Sequence, residues 1–218
     1  MSRLLDQLLE APDIRLVIAR AEEALAQEAR DRQDFYNWVR EDQKAEFVNG
    51  EVILHSPVKR KHWQTVLNLG KLLSLYVDLN GLGEVATEKA LISLTRNDYE
   101  PDVCYWSVEK TAQFEPDQMR FPAPDLVVEV LSRGTAQRDR GVKFEDYAAH
   151  GVREYWLIDP TKREIEQYER ARSQAFALVG TWTDTDTLTS RVLPGFTIPV
   201  RAVFDADANL TALRTLLI

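Results

Sequence analysis

The chain contains 218 residues, of which 44% are hydrophobic and 28% are charged. This length and composition are typical of a soluble globular protein with one sizeable core. The single cysteine, Cys104, excludes an internal disulfide and a zinc site built from thiolates, and the net charge of −8 argues against a protein that coats nucleic acid non-specifically.

The first residues, MSRLLDQLLEAPD, lack the basic segment and apolar core of a secretory signal. No apolar run in the sequence approaches the ~20 residues needed to span a bilayer. Together with the lone cysteine, these features lead us to expect a cytoplasmic protein with no membrane partner.

The N-terminal segment, residues 2–30, carries apolar residues at helical spacing, which predicts one or two amphipathic helices broken near Pro12. The following ARDRQD is interpreted as a polar joint. We therefore expect an N-terminal helical extension, residues 1–33, and a second domain, residues 34–218. The extension has no catalytic residue types at useful spacing, so packing or dimerisation is its expected role.

From Asp34 onward, strands and helices mix. DFYNWV predicts a short helix, and EFVNGEVIL predicts a hairpin, because Asn49-Gly50 suits the positive φ angles of a two-residue turn. A helix is expected from Pro57 to about Val77. The later predicted elements are strands in GEVATEKALISLT, PDVCYW and PAPDLVVEVLS, a polar helix over 137–150 ended by Gly151, a hairpin of REYWLID and REIEQYE, and strands over most of 176–204. This order predicts an α/β fold with a mixed sheet.

The stretch PAPDLVVEVLS places carboxylates inside a strand that is apolar on both faces. Because burying an unpaired carboxylate costs roughly several kcal/mol, Glu129 should be neutralised, paired or bound to a metal. Asp125 shares its face but lies about 13 Å away along the strand, too far to grip the same ion. Asp102, on the strand just upstream, is the better partner because neighbouring strands lie ~4.8 Å apart.

Two carboxylates on adjacent strands, with waters and a substrate oxygen, would make a magnesium site. The alternative is an ion pair with Arg140 or Lys143, since structural networks also collect buried acids. Lys143 itself either stabilises a phosphate beside the metal or pairs with Asp139 at the surface. Asp125 either caps the start of the strand or reaches a second ion.

His62 lies on the apolar stripe of its predicted helix, where a lone histidine is commonly a core residue. The basic residues just ahead of it, Lys59–Lys61, indicate a phosphate-facing role as the alternative.

Several motifs occur in an order that resembles the Uma-type family of restriction-endonuclease-like proteins. They are EFVNGEVIL, Ser-Pro followed at a short distance by His62, PDVCYW, APDLVVEVLS…RDR…K…Y…GVREYWLIDP and the closing LPGFTIPVRAVF. The resemblance covers roughly residues 34–204. This family looks like a branch of the PD-(D/E)xK nuclease superfamily, which implies a restriction-endonuclease-like mixed β-sheet flanked by helices.

The resemblance also implies site residues. It places the metal-binding aspartate on Asp102 and the second acid on Glu129. The lysine of the general pattern would stand at position 131, where this chain has Leu131; in the Uma-type branch the lysine comes from the next helix, which implies Lys143. The supporting residues that the resemblance implies are a further acid at Glu46 and secondary roles for His62 and Asp125.

The leading hypothesis is a magnesium-dependent endonuclease in which Asp102 and Glu129 bind Mg²⁺, with Mn²⁺ as a substitute, and Lys143 lies by the scissile phosphate. DNA is the expected partner, and a homodimer is the expected assembly. Basic residues expected to hold the nucleic-acid backbone are Arg133, Arg138, Arg140 and Lys59–Lys61. Two alternatives stay open: a non-catalytic dimeric nucleic-acid-binding or regulatory protein on the same scaffold, and a hydrolase of small phosphoesters.

Overall fold

Helices and strands mix along the chain in the computed structural model, which describes residues 3–217. The helices are α1 (Arg3–Glu10), α2 (Ile14–Trp38), α3 (Arg60–Asn80), α4 (Val108–Thr111), α5 (Ala136–Asp139), α6 (Val142–Ala149), α7 (Arg201–Phe204) and α8 (Ala206–Leu216). The strands are β1 (Ala45–Val48), β2 (Glu51–Leu54), β3 (Gly83–Thr87), β4 (Leu91–Ser93), β5 (Asp98–Tyr99), β6 (Val103–Ser107), β7 (Arg120–Phe121), β8 (Leu126–Val130), β9 (Glu154–Asp159), β10 (Glu164–Arg170), β11 (Phe176–Trp182), β12 (Thr187–Thr189) and β13 (Thr197–Pro199). Within the described residues, every helix is too short or too polar to cross a bilayer.

Two larger sheets organise these elements. One has six strands in the order β11-β10-β9-β8-β6-β3, and the other has five in the order β2-β1-β5-β4-β7. In the six-stranded sheet β8 runs parallel to β9, whereas the remaining pairs are antiparallel. The predicted α/β fold with a mixed sheet flanked by helices is therefore confirmed.

Strand β8 is buried along its whole length, as its apolar sequence predicts. Val128 belongs to a core that includes Leu69 and Leu73 of α3, on one face of the sheet. Val127 belongs to a second core, on the opposite face, that includes Tyr147 of α6. Helices thus cover both faces of the sheet at this strand, which explains why its sequence is apolar at consecutive positions.

Helix α2 is longer than predicted. The break near Pro12 is confirmed. The expected polar joint ARDRQD is wrong, because it lies within α2; DFYNWV is helical as predicted up to Trp38, but as the end of α2 and not as a separate short helix. Tertiary contacts hold this end of the helix: Phe35 is buried with its ring centroid 5.7 Å from that of Phe47, and Arg32 Nε lies 2.6 Å from Asp98 Oδ2. The position between residues 33 and 34 is therefore inside a continuous helix, and the division into extension and domain stays a prediction.

Local turn chemistry agrees with the sequence at two places. Asn49 and Gly50 have φ of 50° and 86° and join β1 to β2 as the predicted two-residue hairpin. Gly151, with φ of 85°, follows the last turn of α6 as the predicted positive-φ glycine.

Three element boundaries differ from the predictions. The polar helix expected over 137–150 is two helices, α5 and α6, because Gly141 adopts φ of −114° and ψ of −108°, outside the helical region. GEVATEKALISLT is split into β3 and β4 by Glu88 and Lys89, both with φ of 54°. The end of the predicted 176–204 strand region forms α7.

Glu154, at the start of β9, is fully buried and connects the six-stranded sheet to the segment 190–192. Its carboxylate accepts hydrogen bonds from Trp156 Nε1 (2.7 Å), Gln167 Nε2 (2.6 Å), Ser190 Oγ (2.7 Å), Arg191 N (2.9 Å) and Val192 N (3.1 Å). Buried carboxylates of this kind are stable only because donors replace the lost water.

We expect Glu154→Leu to lower the free energy of unfolding by about 3 kcal/mol or more, because several buried donors lose their acceptor at once. Urea denaturation followed by tryptophan fluorescence measures the change. Ser190→Ala removes only one of the donors to Glu154, together with the Oγ that accepts from Val192 N and Leu193 N, and should cost less, about 1–2 kcal/mol. Equal, small losses for the two variants would contradict the structural role assigned to Glu154.

Candidate active site

Asp102, directly before β6, and Glu129, in β8, lie close together in the six-stranded sheet. Strands β6 and β8 pair with Val103 opposite Val128 and Cys104 opposite Val127, and the same register continued by one position would set Asp102 opposite Glu129. Directly opposed residues of an antiparallel pair project to the same side. Both carboxylates are nearly buried, with 6% and 4% of each residue exposed.

Lys143 joins the acids of three different elements. It lies in the first turn of α6, and its Nζ is 3.0 Å from Glu129 Oε1, 2.7 Å from Glu46 Oε1 and 3.7 Å from Asp139 Oδ1. Its side chain is only 3% exposed. The ion pair that the sequence left as an alternative for Glu129 is therefore present, together with the neighbouring acids.

Arg140, the other cation considered for that ion pair, points elsewhere. Its two terminal nitrogens donate to Glu166 on β10 at 2.7 and 2.6 Å. Arg140 is thus engaged at the surface of the sheet and does not compensate the buried acids.

Glu46 comes from β1, in the five-stranded sheet, and is fully buried. Besides Lys143, it contacts His55 Nε2 at 3.3 Å through Oε2 and accepts a hydrogen bond from the backbone N–H of Glu100 at 3.0 Å. The supporting acid implied by the family resemblance therefore lies in the same cluster as Glu129. The cluster spans the junction of the two sheets.

Asp102 is held by contacts from three directions. Its Oδ2 accepts a hydrogen bond from Val130 N at 2.8 Å and lies 3.3 Å from His62 Nε2, at the start of α3. Its Oδ1 lies 3.7 Å from Lys44 Nζ. His62, for which the sequence left a core and a phosphate-facing role open, is buried and is brought directly to the acid site.

Asp125 is not brought into this cluster. At the start of β8, its Oδ2 accepts a hydrogen bond from Ser107 N at 2.9 Å, and its Oδ1 lies 3.2 Å from Lys110 Nζ and 3.4 Å from Arg153 Nε. These contacts are those of a cap at the start of the strand, the first of the two roles that the sequence left open for it.

Sequence reasoning missed three residues that the fold places beside the predicted site: Lys44, His55 and Glu100. A signal existed for Lys44, because residues two apart on a strand share a face and Lys44 precedes Glu46 by two positions. Glu100 stands immediately before the Pro-Asp of the acid strand. His55 gave no local signal, since its partner is across the hairpin.

Burial and mutual repulsion set the electrostatics of the cluster. Burial raises the pKa of Glu129 well above its ordinary value, and Asp139, Asp102 and Glu46 add to the effect while Lys143 opposes it. Burial alone would lower the pKa of Lys143, but the surrounding carboxylates outweigh it and raise that pKa. The ammonium therefore stays charged, and the cluster holds more acids than nearby cations.

The pKa values of Glu100 and Glu46 shift in opposite directions. Burial raises the pKa of Glu100 to about 7, with Lys44 opposing the shift. Burial would also raise the pKa of Glu46, but Lys143 and His55 overcome it and lower the pKa to about 2. Glu46 is thus the firmly ionised acid of the cluster.

The residues fit a hard divalent cation. Buried carboxylate oxygens without a hydrogen-bond donor remain on Glu46 (Oε2), Glu100 (Oε2) and Asp139 (Oδ1 and Oδ2). Within residues 3–217, no three His, Cys, Asp or Glu side chains are grouped so as to hold a metal ion by themselves. Magnesium sites in proteins commonly use only one or two carboxylates and complete the shell with water and substrate oxygens.

The model of the Uma2 family, described as "Putative restriction endonuclease", matches residues 32–201. The chain belongs to the Uma2 family. The Uma-type resemblance found in the sequence is thereby confirmed, and the match contains all the site residues discussed above.

Curated relatives of this Uma2-family chain include two proteins of Synechocystis sp. "Uncharacterized protein sll1609" is 29% identical over 138 residues, which cover 62% of this chain and 77% of the relative. "Uncharacterized protein slr1290" is 30% identical over 145 residues, which cover 63% and 73%.

A solved structure from Anabaena variabilis, described as "a putative nuclease belonging to DUF820", superposes with a TM-score of 0.67. It covers 83% of this chain and 97% of its own, at 15% identity. At this identity the likeness shows the fold alone, and it agrees with the restriction-endonuclease-like architecture expected of a Uma2 protein.

We expect Lys143→Met to lower the free energy of unfolding by about 3–5 kcal/mol, because the buried acids around it would lose their shared cation. Thermal and urea unfolding measure the loss. The double variant Lys143→Met/Glu129→Leu should regain part of it, since one of the uncompensated acids is then gone. No recovery in the double variant would contradict the assigned pairing.

The lowered pKa of Glu46 predicts a pH dependence of stability. Because its pKa falls from 4.5 to about 2 in the folded protein, ionised Glu46 contributes stability above pH 4.5 that is lost as the pH falls toward 2. The stability difference between wild type and Glu46→Gln should therefore shrink by about 3 kcal/mol over that interval. Urea titrations at successive pH values measure it, and a pH-independent difference would count against the Lys143–Glu46 ion pair.

Proposed function

We propose that this Uma2-family protein is a magnesium-dependent endonuclease that hydrolyses phosphodiester bonds in DNA. The observation that carries the proposal is the closeness of two buried carboxylates: Asp102 Oδ2 accepts a hydrogen bond from the backbone N–H of Val130, the residue after Glu129 in β8. The acid excess around them and the family's description as restriction endonucleases support the same chemistry.

When bound, the ion would activate a water for in-line attack and neutralise charge on the leaving oxygen. The protein's own residues prepare its binding site. Val130 N and His62 contact Asp102 through Oδ2, so Oδ1 is the oxygen that would be available to the ion. Lys143 fixes Glu129 through Oε1 and thereby orients its carboxylate. Preorganised charged groups of this kind need no rearrangement during the reaction.

Backbone phosphates of DNA would meet the exposed basic residues at the start of α3, Lys59–Lys61. This segment lies beside the acid site because the next residue, His62, contacts Asp102. Arg133 is exposed as well, whereas Arg140 is bound to Glu166 and is less available to a phosphate. A local basic rim of this kind can bind DNA even though the whole chain is acidic.

A second candidate function is a non-catalytic dimeric DNA-binding or regulatory protein on the same scaffold. It is favoured by two observations: Glu129 is ion-paired with Lys143, and the lysine position of the general pattern is occupied by Leu131. Under this alternative, the acid cluster would stabilise the folded protein and the basic rim would bind DNA.

Supercoiled plasmid incubated with millimolar Mg²⁺ or Mn²⁺ tests the proposal. We expect nicking by the wild type, a loss of roughly 100-fold or more in Asp102→Asn and Glu129→Ala, and little change in Asp125→Asn, whose carboxylate lies at the far end of β8. Chelation should also abolish nicking.

Robust cleavage by Glu129→Ala would overturn the proposed mechanism. Isothermal calorimetry that detects no Mg²⁺ or Mn²⁺ binding in the millimolar range would favour the non-catalytic alternative. Hydrolysis of bis(p-nitrophenyl) phosphate without nicking of DNA would instead indicate a small phosphoester as the substrate.

A further inference from the structure

The position of Lys143 limits what it can do for a substrate. Its side chain is 3% exposed, and its Nζ is bound to Glu46 at 2.7 Å and to Glu129 at 3.0 Å. To contact a phosphate in the solvent-facing part of the site, it would have to leave both acids, and buried charges without a partner are strongly unfavourable. Lys143 is therefore placed to hold carboxylates, and a different group must meet the substrate.

Lys44, unlike Lys143, is partly exposed to solvent beside the acid site. Its side chain is 19% exposed, and its Nζ lies 3.7 Å from Oδ1 of Asp102, the oxygen that faces away from the Val130 and His62 contacts. This distance exceeds that of a hydrogen bond, so the ammonium keeps donors for a further oxygen. It is at once beside the proposed metal ligand and accessible from solvent.

The backbone of Lys44 is fixed by the hairpin that follows it. Its carbonyl oxygen accepts a hydrogen bond from His55 N at 3.1 Å, and the next residue, Ala45, pairs with Leu54 across β1 and β2. Ala45 and Phe47 pack into a small core, and by strand alternation Lys44 and Glu46 share the other side. The segment that forms β1 thus places Glu46 against Lys143 and Lys44 beside Asp102.

Lys44 is also held less closely by carboxylates than Lys143 is. Its ion pair with Asp102 is 3.7 Å long, longer than a hydrogen bond. In contrast, Lys143 is bound to its acids at 2.7 and 3.0 Å. A phosphate at Asp102 could therefore approach Lys44 without breaking a hydrogen bond between this lysine and an acid.

We propose that Lys44 is the cation that contacts the scissile phosphate and that Lys143 is a positioning residue that holds Glu129 and Glu46. This inference rests on the proposed endonuclease function. It assigns the phosphate-facing role, expected from the sequence for Lys143, to a residue at the beginning of the β1–β2 hairpin.

Plasmid nicking by Lys44 variants is the first part of the test. We expect Lys44→Met to keep the melting temperature of the wild type and to lose roughly 100-fold in nicking, while Lys44→Arg regains a substantial part. The matched control is Lys110→Met, which removes an ion-paired lysine, 3.2 Å from Asp125, at the other end of β8. That control should nick DNA like the wild type.

Lysine acetylation followed by peptide mass spectrometry is the second part, and it does not depend on turnover. Lys44 should be modified in the free protein and protected by a short DNA duplex in Ca²⁺, whereas Lys143 should stay unmodified in both samples. Modification of native Lys143, with protection of Lys143 and not Lys44 by the duplex, would overturn the inference.

The two proposals fail in different ways. If the wild type nicks DNA and Lys44→Met nicks it equally well, the role of Lys44 is refuted and the endonuclease proposal stands. If the wild type does not nick DNA with Mg²⁺ or Mn²⁺, the endonuclease proposal is refuted, and with it the catalytic contact of Lys44.

Discussion

The contacts of one buried ammonium with its surrounding carboxylates determine how the site is assembled. Lys143 on α6 reaches Glu129 in the six-stranded sheet and Glu46 in the five-stranded sheet, and both contacts are shorter than or equal to 3.0 Å. Because the acids are buried, neither sheet could present its carboxylate at this place without the shared cation. The ion pairs therefore hold the two sheets and a helix in one arrangement, and the remaining groups of the site take their positions from it.

Around this centre, the roles of neighbouring groups follow from how deeply each one lies. The side chains of Lys143 and Glu46 are 3% and 0% exposed and are bound to each other. Asp102 and Glu129 are also buried, with 6% and 4% of each residue exposed. Lys44 is the more open lysine. The gradient from enclosed to accessible separates groups that build the site from groups that can meet DNA in the proposed reaction.

Much of this arrangement could be predicted from local sequence. The apolar run around Glu129, the strand spacing that favours Asp102 as its neighbour and the Asn49-Gly50 turn each follow from short-range rules. The continuous helix α2 could not be predicted, because its C-terminal half is held by Phe35 against Phe47 in a distant strand. His55 was missed for the same reason, because its contact with Glu46 depends on the hairpin and no local pattern indicates it. Lys44 and Glu100 stand close in sequence to predicted site residues, but their contacts depend on how the two sheets meet.

The two oxygens of the Asp102 carboxylate have separate partners, and this has a consequence for how the position can vary. Oδ2 accepts the Val130 amide and so extends the β6–β8 ladder by one bond, while Oδ1 is free of backbone contacts. An asparagine could keep the ladder bond only by turning its carbonyl toward Val130, and its amino group would then face the cation side. An isosteric replacement by asparagine can thus preserve the fold and at the same time repel a positive ion. Folding therefore constrains Oδ2 of Asp102, whereas cation binding would constrain Oδ1.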